Sequence, residues 1–149
     1  MSSNLSDLVR QVELLEDYEQ GAQALTDVVH LEPAVGARLA LNALRSAAGD
    51  AHFRAFAFNM LYRADRQAAF DFIREKAATC EPQVFSSMLD EVADDVGLLE
   101  ESQDLRRIIP LLLSLIPERG QGVSGVKQGC IDQFLDLYAH ARSWKDLDR

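Results

Sequence analysis

Along the whole chain apolar residues recur at three- and four-residue spacing, and about every 15 residues the pattern is broken by residues that start or stop helices. That rhythm leaves room only for short turns, so successive helices must lie as antiparallel neighbours. No stretch alternates with period two for long enough to suggest a strand, and 8 Gly and 4 Pro in 149 residues are few for a loop-rich fold. The class expected is all-α. A first helix is expected from about Leu5 to Glu19, with Leu5, Leu8, Val12 and Leu15 on one face and Asn4 or Ser6 as cap. A second runs from about Ala22 to Leu31, stopped by Glu32-Pro33, and Pro33 opens a third that ends at Gly49. Asp50 caps a fourth, to about Ala64; Asp65 caps a fifth, to about Thr79; Pro82 opens a sixth, ending near Gly97. The seventh, roughly Ser102 to Ile116, carries a kink or break at Pro110, and an eighth covers roughly Ser124 to Ala141.

Eight helices of this length make four pairs, which raises the question of repeats. The segment Ile109-Pro110-Leu111-Leu112-Leu113, then Leu115-Ile116-Pro117-Glu118, a loop, and Val126-Lys127 with Cys130, Phe134 and Leu137 resembles a HEAT repeat. Phe53-Arg54 with Ala57, Leu61 and Ala64, after the turn Gly49-Asp50, is similar to the same pattern, and Val84-Phe85 with Met88 and Val92 matches it more weakly. The resemblance implies a short α-solenoid in one domain spanning 1–149: residues 1–32 as a capping pair, about three HEAT-like pairs over 33–141, and 142–149 as a tail. A generic antiparallel bundle is the other arrangement open to such a pattern. In the family, the second helix of each pair lines a concave side, here the helices near 50–64, 82–97 and 124–141.

The charge is unevenly placed. The chain has 24 acidic and 15 basic side chains, a net −9, and 77–105 holds eight acids and no base. Residues 1–37 carry seven acids and one base, whereas 38–76 and 106–149 are weakly basic. Such a balance disfavours nucleic acid and anionic membranes and suits a cationic protein partner. On the sixth helix Val84, Phe85, Met88, Leu89, Val92 and Val96 form the expected buried stripe. Ser87, Asp90, Glu91 and Asp94 then fall opposite, and Asp95, Glu100, Glu101 and Asp104 extend the acidic surface. These eight residues are the expected partner-binding surface.

Signatures of catalysis are missing from the sequence. Gly120-Gln-Gly122-Val-Ser-Gly125 spells G-x-G-x-x-G, but a proline-bearing helix precedes it where a dinucleotide site needs a strand. His30, His52 and His140 lie far apart, and neither His-x-x-x-His, Cys-x-x-Cys nor Glu-x-x-His occurs, so no metal or cofactor is expected. Cys80 and Cys130 read as reduced core thiols of a cytosolic protein rather than a disulfide framework. The N-terminus has no apolar signal region, and Ile108–Ile116 is far short of the ~20 residues a bilayer span requires. Aromatic residues crowd 53–72; Phe56 and Phe58 point to different sides of one helix, so each packs on its own neighbour or one is exposed. Trp144 is expected to staple the tail.

Small, acidic, all-α domains without catalytic motifs resemble bacterial immunity proteins of contact-dependent inhibition and related polymorphic toxin systems. That resemblance implies a cytoplasmic non-enzyme that neutralises a toxin, often a nuclease with a basic cleft, by covering it with acidic surface. A HEAT-type scaffold or adaptor binding a basic protein or peptide fits the same residues.

Overall fold

Three aspartates set the starts of helices by turning a carboxylate onto backbone N–H groups that have no partner inside the helix. Asp17 accepts from Glu19 N (2.9 Å) and Gln20 N (3.1 Å), Asp50 from Phe53 N (2.8 Å), and Asp65 from Ala68 N (3.1 Å). Two prolines, Pro33 and Pro82, occupy first-turn positions where a missing N–H is harmless. In the computed structural model, which describes residues 2–95 and 103–119, these signals delimit α1 (Ser2–Leu14), α2 (Tyr18–Leu31), α3 (Pro33–Arg45), α4 (Ala51–Ala64), α5 (Arg66–Lys76), α6 (Pro82–Asp94) and α7 (Gln103–Arg119). No strand occurs among the described residues, so the all-α expectation holds there. The expected eighth helix, Cys130 and Trp144 lie outside them.

Several boundaries differ from the sequence expectation. The first helix stops at Leu14, because Leu15 takes a left-handed conformation (φ 49°), and Asp17 then restarts the chain at Tyr18 rather than Ala22. The spacing Asp17-x-x-Gln20, a capping-box pattern, is the local signal for this break. The third helix ends at Arg45, four residues before Gly49. Ala47 (φ 54°) takes the left-handed seat usually given to glycine, and Ala48 N donates to Ala43 O (2.9 Å), closing a Schellman-type turn. Gly49 (φ 68°) follows, and the Arg54 guanidinium reaches back to donate to the Ala47, Ala48 and Gly49 carbonyls at 3.1, 3.3 and 2.6 Å. Arginine at 54 therefore closes the α3–α4 turn. The α7 helix runs unbroken through Pro110, which is exposed, so the carbonyl that loses its donor can turn to water.

The chain divides into two compact units, Met1–Ala69 and Phe70–Arg149, with the division inside α5. In the first unit α1 packs on α2 and α3 on α4, while α2 also contacts both α3 and α4. Its interior is built from Leu25 and Val28 of α2, Leu39 and Ala40 of α3, and Phe53, Phe58 and Leu61 of α4. Phe58 is buried and Phe56 half-buried, so neither is an exposed anchor. In the second unit α6 packs on α7; Phe85, Met88 and Leu89 of the one and Leu105, Ile108 and Leu112 of the other are fully buried. Cys80 is half-buried, less enclosed than a core thiol would be.

The cap at Asp50 gives a direct measurement. Asp50→Ala leaves the Phe53 N–H without its acceptor at the start of a helix that is buried along most of its length, and is expected to lower stability by about 1 kcal/mol. The urea midpoint should fall with the slope unchanged, and Asp50→Ser, which restores an acceptor, should recover most of the loss.

Candidate partner-binding surface

The α6 helix begins at Pro82 with Glu81 before it, and the expected stripe of Val84, Phe85, Met88, Leu89 and Val92 is buried; Val96 lies outside the described residues. The opposite face is not the continuous acidic surface that helical spacing suggests. Ser87 is 5% exposed and Glu91 only 9%, and Ser86 is buried as well, with its Oγ lacking a hydrogen-bond partner. The helix is thus enclosed over most of its circumference, and two expected contact residues are interior. Asp90 and Asp94 are exposed, one turn apart, and Asp95 is half-exposed as the C-cap.

Asp104 is already engaged. It sits in the first turn of α7, where a carboxylate complements the helix dipole, and accepts a close charge-assisted bond from Arg74 Nη2. The same guanidinium bonds Asp71 one turn back on α5 (2.9 Å), so Arg74 joins α5 to α7 within the second unit. Asp104 is thus paired within its own unit and remains about one-third exposed. Glu100 and Glu101 lie outside the described residues.

The electrostatics of what remains are particular. Asp90 and Asp94 are like charges at i,i+4, and Asp94 and Asp95 stand at the negative end of the α6 dipole, in a last turn that holds no basic residue. Both arrangements work against the helix, by a few tenths of a kcal/mol for the pair and about 0.3–1 kcal/mol per charge at the terminus.

A second group of carboxylates, on α1, α2 and the links beside them, receives less weight from sequence reasoning. Asp7, Glu13, Glu16, Asp17, Glu19 and Glu32 are all exposed there, and the excess of acids in 1–37 is their signal. Among the described residues no group of three or more His, Cys, Asp or Glu side chains could hold a metal ion, and no helix is long and apolar enough to cross a membrane. No family model, curated protein or solved structure matches this chain.

Proposed function

We propose that this chain is a non-enzymatic binding protein of the cytoplasm whose acidic surface captures a basic protein, and specifically that it is an immunity protein neutralising a toxin by covering a cationic cleft. The observation that carries this reading is the exposed like-charged pair Asp90 and Asp94, one turn apart, with Asp94 and Asp95 at the dipole-disfavoured end of α6. Carboxylates so placed lose their mutual repulsion when a basic surface meets them, and complementary fields speed encounter before contact forms. Inhibition is then occlusion, with no bond made or broken on this side. The paired packing of α1 with α2 and α3 with α4, with α2 reaching both later helices, supports a HEAT-like stack and with it the second reading, a scaffold for a basic peptide or subunit.

Genomic position and one double variant separate these readings. An immunity protein is expected to be encoded next to a large secreted toxin and to protect cells that express that toxin's C-terminal domain. Asp90→Lys with Asp94→Lys, both at exposed positions, should keep the fold while slowing association about tenfold or more at low salt and abolishing protection. Full protection by this variant would remove the α6 face from the interface, and an isolated gene with no toxin neighbour would favour the scaffold.

A further inference from the structure

The helix α1 uses its apolar stripe incompletely. Of its apolar side chains described, Val12 alone is buried; Leu5, Leu8 and Val9 are half-buried, and Leu14 is 61% exposed. At the far end of α2, Leu31 is 60% exposed. With Tyr18, whose ring lies 6.5 Å from that of Phe53, these are the exposed large hydrophobic residues among the described positions. Isolated exposed leucines are ordinary on a protein surface. These two are not isolated, because both line the seam where α1 and α2 run side by side.

One end of the seam is a groove of about 520 Å³ lined by Asp7, Leu8, Gln11, Asp27, His30 and Leu31. The other end, about 290 Å³, shares Asp7 and Gln11 and adds Leu14, Glu16, Asp17 and Gln20, with Arg10 at its edge. Leu14 stands at the end of α1 by the start of α2, with Gln20 in the same lining, and Leu31 closes α2 eleven residues beyond Gln20, about 17 Å farther along that helix at about 1.5 Å per residue. Between and around them stand four carboxylates, Asp7, Glu16, Asp17 and Asp27, against one arginine.

We infer that the α1–α2 seam is a docking groove for a basic amphipathic helix of a partner protein, with Leu14 and Leu31 as its two apolar contacts and Asp7, Glu16, Asp17 and Asp27 as its charged rim. A helix laid along the seam meets apolar points about three turns apart, the spacing of i and i+11, and meets carboxylates where its own flanks carry Lys or Arg. A second copy of this chain is a poor occupant, since a two-fold contact would set this acidic rim against itself. The seam lies wholly within Met1–Ala69, so the inference stands apart from the α6 face.

The test uses the full chain and a fluorescent helical Lys–Ala peptide carrying leucines at i, i+4 and i+11. Two control peptides have the leucines scrambled around the helix or Glu in place of every Lys. Saturable binding is expected for the first alone, with amide NMR shifts in α1 and α2. Leu14→Gln with Leu31→Gln, two exposed changes to a good helix former, should keep the helical circular-dichroism spectrum and weaken the complex about tenfold or more. Asp90→Lys with Asp94→Lys should bind the peptide as the native chain does. The proposal is overturned if the peptide does not bind, if the scrambled peptide binds equally, or if the double glutamine variant keeps native affinity. It is also overturned if only the α6 variant loses binding, or if the seam leucines prove to hold a dimer of this chain in sedimentation.

Discussion

Truncation of Phe58 to alanine is expected to lower the stability of this protein by about 3–5 kcal/mol, the largest effect among the substitutions considered. Phe58 is fully buried, and its ring lies 6.2 Å from that of Tyr62 one turn on, in a tilted arrangement. The Arg66 guanidinium in turn sits 5.6 Å from the Tyr62 ring centre, so the three form a ladder down one side of α4 into α5. Removing the first rung takes away apolar contact area, leaves a cavity that close-packed neighbours fill only incompletely, and takes the Phe58 ring away from Tyr62. Against a total stability of about 5–15 kcal/mol for domains of this size, such a loss is a fifth or more. Chemical denaturation of Phe58→Ala beside Phe56→Ala checks it. The half-buried Phe56 should lose clearly less, and equal losses would mean that exposure misrepresents where α4 packs.

Gly36→Ala is expected to destabilise by about 1 kcal/mol net, against the sign that helix propensity alone gives. Alanine in the interior of α3 would by itself gain about 1 kcal/mol over glycine. A β-carbon at 36, however, would lie 2.8 Å from Val29 Cα and 3.1 Å from Val29 N, both backbone atoms of α2, and 2.5 Å from Val29 Cγ2. Glu32 alone separates α2 from α3, serving as C-cap of one and N-cap of the other, and this sharp corner brings the two backbones together one turn later. The methyl group therefore has to push α2 and α3 away from each other, an overpacking cost of about 1–3 kcal/mol and occasionally more. Val29→Ala in the same chain should rescue only incompletely, because it clears Cγ2 and leaves the backbone contacts. At Gly21 the nearest atom to a new methyl is instead the tip of the Leu15 side chain, which can rotate away, so Gly21→Ala should cost less than Gly36→Ala. Thermal or urea unfolding of the two variants side by side decides the point.

Much of this architecture is legible without coordinates. Asp50, Asp65, Pro33 and Pro82 start helices where their chemistry says they should, since a cap acts within three residues of its own position. The break at Leu15 escapes a reading by apolar spacing, which runs straight across it, although the cap pattern at Asp17 and Gln20 marks the restart. Pro110 misleads in the opposite direction: at an exposed position, proline removes one hydrogen bond without ending the helix. The candidate site is unevenly legible for a different reason. Helical spacing correctly sets Val84, Phe85, Met88, Leu89 and Val92 inward, and correctly leaves Asp90 and Asp94 out. It also sets Ser87 and Glu91 outward, where the fold has buried them.

The sequence by itself determined the helical class, the caps and the concentration of negative charge, because each depends on residues a few positions apart. Tertiary structure alone decided which carboxylates face water. A helix in isolation has one apolar and one polar side, whereas α6 is buried through 84–89 and 91–93, leaving Asp90 and Asp94 exposed and Asp95 half-exposed. It also tied Asp104 to Arg74, thirty positions earlier in the chain, and brought Leu14 and Leu31 to one seam. Burial and ion pairing are set by what packs against a residue from elsewhere in the chain, and no local periodicity encodes that neighbour.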